Sequence, residues 1–278
     1  MGIIKKLGKK ILPPFIADFF KLFLKKSAAN EITWTGSYQS WNQVIRECSG
    51  YDDKEILTKT KDALLKVKAG LFSYERDSVL FEKLEIQWPL VACLQKIALE
   101  TPHPLSVLDF GGSLGSTFFQ NKSFMPLDIE WSVVEQNHIV ECGSEYFEDE
   151  VLKFYQTIDQ CKSQRNPQVL LLGSVLPYVE DPIELIKKIL FYKFSYIIID
   201  RTSFTEDPQN RLTLQTVPSE IYGATYPCWF FNQESFMSLF KNKYEIISEI
   251  QNDANPLSFN NTSGSKMYWT GFFLKLKK

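Results

Sequence analysis

The chain has 278 residues, enough for one large domain with an appendage or for two small domains. Hydrophobic residues make up 44% and charged residues 23%, as in an ordinary globular protein, and a net charge of −2 argues against a nucleic-acid partner held by phosphate contacts. The five cysteines are scattered without a CxxC pair, so we expect a reducing, cytoplasmic location and neither a disulfide framework nor a metal site.

The N-terminal segment, residues 1–30, is basic and amphipathic. Residues 1–26 contain seven lysines and one acid, Asp18, among Ile, Leu and Phe. Asp18 and the Pro13-Pro14 pair interrupt the apolar run that a secretory signal needs. Two interpretations stay open: peripheral contact with an anionic membrane surface, which for a cytoplasmic protein is the inner face, or a tail or helix packed on its own domain.

A mainly helical extension is predicted over residues 31–103. Asp52 and Glu55 stand at the spacing of a capping box before an apolar periodicity. Pro89 suits the first turn of a second helix, which shows one apolar face. The proline-rich stretch 101–104 then breaks the chain.

The third predicted region, residues 104–278, alternates strands with helices. Apolar runs predict seven strands, at 106–110, 129–134, 151–155, 169–172, 196–200, 244–250 and 267–276. Residues 202–231, between the fifth and sixth strands, are expected to form a long loop. This alternation predicts an α/β fold with a mostly parallel, Rossmann-like sheet covered by helices on both faces.

A glycine-rich turn, Asp-Phe-Gly-Gly-Ser-Leu-Gly, follows the first of these strands at residues 109–115. Such a turn lets the backbone approach an adenosine-containing ligand closely. The dinucleotide pattern GxGxxG, read from Gly111, would need glycine where Ser113 and Ser116 stand. The S-adenosylmethionine (AdoMet) pattern, an acid, one residue and then GxGxG, matches from Asp109 to Gly115 with Ser113 at one glycine position. The spacing therefore favours AdoMet over a dinucleotide; a plain strand-to-loop turn remains the alternative.

Two further strand ends support an AdoMet site. Glu135 ends the second strand, where a carboxylate can accept hydrogen bonds from both ribose hydroxyls. Gly173 and Ser174 follow the fourth strand and suit the wall of a methyl-transfer cleft, whereas the third strand ends in Phe154-Tyr155-Gln156 and supplies no acid for adenine. Asp109 is expected to engage the ammonium of the cofactor. The predicted cofactor-binding residues are Asp109, Gly111, Gly112, Ser113, Gly115, Glu135, Gly173 and Ser174.

Motifs spread over nearly the whole chain carry a narrower similarity. They occupy residues 34–41, 50–52, 74–77, 108–115, 134–136, 200–202 and 222–227. Together they resemble a family of bacterial methyltransferases encoded among surface-polysaccharide (O-antigen type) biosynthesis genes. The resemblance implies the class I methyltransferase form of the fold, with seven strands and an antiparallel last strand, AdoMet as cofactor, and a sugar or sugar-linked acceptor.

Methyl transfer from an activated sulfonium needs mainly in-line positioning of the acceptor and exclusion of water. Asp200 is the candidate catalytic base at the end of the fifth strand, and Arg201 is placed to bind a phosphate or carboxylate of the acceptor with two parallel hydrogen bonds. An internal ion pair is the alternative for both. The remaining substrate candidates are Tyr178, Tyr222 and Tyr226.

Aromatic residues outside the strands allow two interpretations. In the expected loop, Glu220 and Trp229 suit a sugar-binding lid together with the tyrosines, or a hydrophobic cluster over the sheet. In the N-terminal region, Trp34, Tyr38 and Trp41 either pack helices on the sheet, which we favour, or cover the acceptor pocket.

The leading hypothesis is an AdoMet-dependent methyltransferase acting on a sugar or sugar-linked precursor of surface polysaccharide. The alternative is a non-catalytic binding or scaffold protein of a polysaccharide assembly complex, because the third-strand acid and an obvious base are missing. A nucleotide-sugar enzyme that uses NAD is disfavoured by the spacing of the turn.

Overall fold

The computed structural model describes residues 32–48, 53–101, 104–219, 223–251 and 266–278. The basic segment 1–30 and Asp52 of the predicted capping box lie outside this part of the chain. The strands are β1 Thr33–Tyr38, β2 Tyr74–Arg76, β3 Val79–Phe81, β4 Leu105–Phe110, β5 Ile129–Val134, β6 Leu152–Tyr155, β7 Val169–Gly173, β8 Tyr196–Thr205, β9 Arg211–Val217, β10 Ala224–Asn232, β11 Tyr244–Gln251 and β12 Met267–Leu276. The helices are α1 Trp41–Ile45, α2 Asp53–Lys68, α3 Trp88–Glu100, α4 Ser116–Asn121, α5 Asn137–Tyr146, α6 Ile158–Gln164, α7 Pro182–Phe191 and α8 Gln233–Ser238.

The centre of the molecule is the predicted seven-stranded sheet, in the order β6-β5-β4-β7-β8-β12-β11. The strands from β6 to β8 pair in parallel, and β12 runs antiparallel to both β8 and β11. The Rossmann-like α/β class with an antiparallel last strand is therefore confirmed. Because strand order reverses between β4 and β7, a crevice opens at their carboxyl ends, where open α/β sheets bind ligands.

Helices cover both faces of this sheet. Buried residues of α2 to α5 form one core with alternate strand residues such as Val107 and Ile198. Those of α6 to α8 form a second core with the intervening residues, such as Leu108 and Ile197. Strands β4 and β8 are thus buried on both faces, which explains why apolar residues stand at adjacent positions in each, at 107–108 and at 196–199. Among the described helices, none is long and apolar enough to cross a membrane.

The prediction of a long loop over residues 202–231 is wrong. Strand β8 continues to Thr205, and β9 and β10 follow it as an antiparallel pair that joins β8 at Phe204 and Thr205. The sequence there is polar and resembles a loop, yet the side chains of Thr202 and Ser203 are fully buried because β12 pairs along this part of β8. Pairing with a distant strand has overridden the local pattern.

The region predicted as mainly helical also contains strands. Strand β1 pairs with β9 and extends the sheet to ten strands, and β2 and β3 form a separate hairpin. Pro89 lies in the first turn of α3, as predicted. Residues 32–101 thereby contribute one strand to the main sheet and one hairpin beside it.

Candidate active site

The glycine-rich turn, residues 109–115, lies at the crevice between β4 and β7 and is called the cofactor turn below. Gly111 has φ +73° and Gly115 has φ +88°, in the left-handed region that favours glycine. A β carbon at Gly111 would lie 2.5 Å from Cγ2 of Val175, and one at Gly115 would lie 3.1 Å from Cδ2 of Leu152. Both the backbone conformation and the available space therefore require a small residue at Gly111.

The carboxyl group of Asp109 lies beneath this turn. The residue is 2% exposed, and among the described residues its side chain accepts one hydrogen bond, from Nε1 of Trp131 at 3.3 Å. Burial raises the pKa of Asp109 to about 7; the Trp131 hydrogen bond and the charge of Arg201 oppose this rise, while Glu135 and Asp200 add to it. A carboxylate has about four acceptor positions, so Asp109 can still receive a donor or a cation.

Glu135 reaches the same turn from the end of β5. Its Oε1 accepts from the backbone N–H of Ser113 at 3.2 Å, and its Oε2 accepts from the N–H of Gln136 at 2.9 Å. Burial raises its pKa, and these two backbone hydrogen bonds lower it. The predicted ribose-binding acid is thus held directly beside the turn, with acceptor positions remaining on both oxygens.

The ends of β7 and β8 bring four predicted residues together. The backbone N–H of Ser174 donates to the carbonyl of Asp200 at 3.0 Å, and its hydroxyl donates to the carbonyl of Arg201 at 3.1 Å. Nη2 of Arg201 lies 3.6 Å from the position that a β carbon of Gly173 would occupy. Ser174 and Arg201 have φ of +56° and +46°, and such strained backbone in non-glycine residues clusters at functional sites.

Asp200 and Arg201 form the internal ion pair that was the alternative to their catalytic interpretation. Nε of Arg201 lies 3.2 Å from Oδ2 of Asp200, which is only 6% exposed. The geometry gives Nε no hydrogen bond, so the contact is electrostatic. The positive charge of Arg201 also lowers the pKa of Asp109, so the guanidinium lies within electrostatic range of the cofactor turn.

The hairpin β2–β3 forms a further wall that sequence reasoning missed. Glu75 is 2% exposed; Oε1 accepts from the hydroxyl of Ser116, directly after the cofactor turn, and Oε2 accepts from the N–H of Ser78 at 3.0 Å. Nε of Arg76 is buried without a hydrogen-bond partner among the described residues. The motif at residues 74–77 contributed to the family resemblance. Its spacing indicates no function by itself, because the hairpin reaches the crevice only through contacts with residues far away in the sequence.

Asp77 stands at the tip of this hairpin, with φ +51°. The Asp77 residue has exposed surface. Partial desolvation of its carboxyl group by the surrounding protein nevertheless raises the pKa, whereas the positive charges of Arg201 and, to a smaller extent, Arg76 lower it. The structure therefore places an accessible carboxylate within the electrostatic reach of Arg201.

Two of the three tyrosines predicted to bind the acceptor meet on the other side of the crevice, in a group that we call the tyrosine cluster: Tyr178, Gln215 and Tyr226. The hydroxyl of Tyr178 donates to Oε1 of Gln215 at 3.1 Å, and Nε2 of Gln215 donates to the hydroxyl of Tyr226 at 3.0 Å. The two tyrosine rings meet edge to face at 5.5 Å. Gln215 carries no signal in the sequence, because the pattern of residues 202–231 predicts a loop there.

Trp34 and Tyr222 are further aromatic candidates from the sequence. Trp34 is 7% exposed, packs against Phe230 and Trp269, and donates from Nε1 to Gln215 at 2.8 Å, so the ring packs among strands of the sheet and these contacts join no helix to it. Tyr222, like Glu220, lies outside the described residues. No group of three His, Cys, Asp or Glu side chains that could hold a metal occurs in the described part of the chain.

No family model and no curated protein matches this sequence. Among solved structures, the chain is similar to the N-terminal domain of EvdMO1 in the presence of SAH and D-fucose, with 12% identity, 82% of this chain and 98% of that chain covered, and a TM-score of 0.45. It is also similar to 1,6-didemethyltoxoflavin-N1-methyltransferase of Burkholderia thailandensis with bound 1,6-didemethyltoxoflavin and S-adenosylhomocysteine, with 12% identity, coverages of 91% and 98%, and a TM-score of 0.46. A third is CalS10, an amino pentose methyltransferase from Micromonospora echinaspora involved in calicheamicin biosynthesis, with 9% identity, coverages of 68% and 91%, and a TM-score of 0.42. Similarity at this level leaves the chemistry of the site to be argued from the residues of this chain.

Proposed function

We propose that the chain is an AdoMet-dependent methyltransferase that acts on a sugar or sugar-linked precursor in surface-polysaccharide biosynthesis. The observation that carries the proposal is Asp109, a buried carboxylate with one long hydrogen bond beneath a turn that approaches the ligand through glycine backbone. Such a group favours a ligand with a cationic donor. When bound, AdoMet supplies a methyl group already activated by its sulfonium.

The charges around the cofactor turn favour AdoMet over a dinucleotide. Asp109 and Glu135 both lie at the turn; a strand-end acid such as Glu135 fits the ribose of either cofactor, whereas the buried carboxylate of Asp109 would repel a pyrophosphate at this position. The same two residues suit the ammonium and the ribose hydroxyls of AdoMet, respectively. Gly111 and Gly115 let the backbone approach the cofactor, and Gly173 with Ser174 lines the cleft between cofactor and acceptor.

On the acceptor side we assign roles to the polar residues according to how exposed their side chains are. Asp200 is buried and paired with Arg201, which favours a positioning role for this candidate base. Asp77 keeps exposed surface and interacts electrostatically with Arg201, so we assign to Asp77, in place of Asp200, the removal of a proton from an acceptor hydroxyl. The tyrosine cluster offers hydroxyl and amide groups beside aromatic rings, a combination that suits a sugar.

Two measurements test the proposal. Calorimetric titration should show AdoMet binding by the unmodified protein, a loss of at least about tenfold in affinity for Asp109→Asn, and no change for Asp62→Asn, a control on the exposed surface of α2. Release of S-adenosylhomocysteine is then followed over a panel of nucleotide sugars and saccharides. Binding without turnover on any acceptor would favour the non-catalytic scaffold, and absence of binding to both AdoMet and S-adenosylhomocysteine would refute the proposed cofactor.

The proposal includes a peripheral contact of residues 1–26 with the inner face of the membrane. It is supported by the seven lysines and the interleaved apolar residues of that segment alone.

A further inference from the structure

A groove of about 570 Å³ opens beside the tyrosine cluster. Its polar and aromatic lining comes from the β1–α1 junction, the start of α7, the start of β9 and strand β10. These residues are Ser40, Trp41, Glu180, Asp181, Asn210 and Trp229. Its volume lies within the range typical of small-molecule sites, although no residue of the proposed cofactor site lines it.

Two indole rings, together with Pro182 and Ile183, give the groove its apolar surface. Trp41 is the first residue of α1 and Trp229 lies in β10; both are half-buried. Nε1 of Trp229 donates to the carbonyl of Val179 at 3.2 Å, which fixes the orientation of that ring. Flat aromatic faces held rigidly at a solvent-open surface offer contact area at little cost in side-chain entropy.

The polar groups of the groove keep unused hydrogen-bonding capacity. Within the described part of the chain, no side chain pairs with Glu180, and Ser40 makes no capping hydrogen bond at the start of α1. Oδ1 of Asp181 accepts from the N–H of Glu184 at 2.9 Å, which leaves its second oxygen. Oδ1 of Asn210 accepts from the N–H of Asn232 at 2.9 Å, which leaves its amide NH₂ as a donor.

The charge of the groove selects among ligands. Two carboxylates and no lysine or arginine are found among the described residues that line it. A phosphate, carboxylate or sulfate group would be repelled there, whereas hydroxyl and ammonium groups would find acceptors. An ammonium group would also be attracted by the two indole faces.

We propose that this groove is a saccharide subsite, which binds a sugar ring that is neutral or carries a protonated amino group. The ring packs on Trp41 and Trp229, and its hydroxyl or ammonium groups donate to Glu180 and Asp181. Because Val179 directly follows Tyr178 of the tyrosine cluster, the subsite borders the proposed acceptor site and would hold a second sugar unit of a longer acceptor. That last step rests on the proposed methyltransferase function; sugar binding in the groove does not.

The test uses the full chain and three probes: glucosamine as the cationic sugar, methyl glucoside as the neutral sugar and glucuronic acid as the anionic one. Saturation-transfer NMR and calorimetry should show binding of glucosamine and methyl glucoside and much weaker binding of glucuronic acid. Trp41→Ala should weaken binding of both sugars by about tenfold. Glu180→Gln should weaken glucosamine more than methyl glucoside because only the amino sugar carries the charge.

Trp88→Ala is the matched control, since Trp88 is 57% exposed on α3 and lines no part of the groove. It should leave sugar binding unchanged, and AdoMet titration of the same samples reports separately on the proposed cofactor site. Circular dichroism checks folding; if Trp41→Ala is unfolded, Glu180→Gln decides. Equal sugar binding by the unmodified protein and the folded variants, or glucuronic acid binding as tight as glucosamine binding, would overturn the subsite whatever the AdoMet result.

Discussion

The two walls of the crevice are built in different ways. The cofactor side depends on the carboxyl ends of parallel strands, since Asp109 and Gly173 lie in the last two positions of β4 and β7 and Glu135 directly follows β5. The acceptor side depends on strands far apart in the chain: Gln215 in β9 joins Tyr178, Tyr226 and Trp34 from three other segments. The first side is set by local geometry, whereas the second exists only after long-range pairing.

The largest expected effect is on the cofactor side, at Gly111. Gly111→Ala should abolish AdoMet binding and lower the free energy of unfolding by roughly 2–4 kcal/mol, because the left-handed backbone is strained by a side chain and the new methyl meets Val175. Urea unfolding and calorimetry measure the two effects. Gly70→Ala is the matched control, since Gly70 has φ +75° with nothing within 4 Å of a β carbon. Equal losses in both variants would contradict the crowding at Gly111.

The second prediction concerns the pH dependence that Asp109 imposes. The pKa of its carboxyl group is about 7 in the folded protein, against an ordinary value of 3.8. Between pH 3.8 and pH 7 the carboxyl group is therefore protonated in the folded state and ionised in the unfolded state. Stability should therefore fall as pH rises from 4 to 7, by roughly 1–3 kcal/mol, and level off above. Urea unfolding at several pH values should show this slope in the unmodified protein and a smaller slope in Asp109→Asn. An identical slope in both would exclude Asp109 as its source.

The third prediction separates two roles of Arg201. Its charge lowers the pKa of Asp109, so Arg201→Gln should move the pH midpoint of AdoMet binding upward by as much as one unit, because the ammonium binds the ionised carboxylate. If Arg201 serves only the acceptor, the Michaelis constant of the acceptor will rise with the pH midpoint unchanged, which would remove it from the cofactor side. Lys187→Gln, on the exposed face of α7, is the control for loss of a positive charge.

The fold was predictable where the pattern is local. The seven core strands follow from apolar runs bounded by turns, and the start of α7 is marked in the sequence by Asp181-Pro182, whose aspartate accepts from the N–H of Glu184. The continuation of β8 and the strands β9 and β10 were not predictable in this way, because Thr202 and Ser203 in β8 and Thr213 in β9 are polar and their burial depends on partners elsewhere in the sequence. Glu75 and Asp77 were missed for the same reason: only docking of the hairpin brings them to the crevice.

The fourth prediction tests the acceptor side at Gln215. Gln215→Leu removes the hydrogen-bond partner that Tyr178, Tyr226 and Trp34 share, so we expect a loss of about 1–3 kcal/mol of stability. The Michaelis constant for the acceptor should rise several-fold while AdoMet affinity stays unchanged. Thr225→Val, at an adjacent position in β10, is a control for change within the same sheet. A fall in AdoMet affinity would show that the two walls are not independent.

The smallest expected effect on the crevice comes from residues 1–26. Deletion of this segment should reduce association with vesicles that contain anionic lipid, because seven positive charges are lost, while AdoMet affinity remains that of the full chain. Vesicle sedimentation at low and high salt measures the difference. Equal association of both forms would refute the membrane interpretation.

The central claim is that the cofactor turn binds AdoMet through the ionised carboxylate of Asp109. Its most direct measurement is calorimetric titration with AdoMet and with NAD between pH 5.5 and 8.5. We predict AdoMet binding that strengthens as pH rises through about 7, loss of that binding in Asp109→Asn, and no binding of NAD. AdoMet binding by Asp109→Asn that equals the unmodified protein at every pH, or preferential binding of NAD, would contradict the claim.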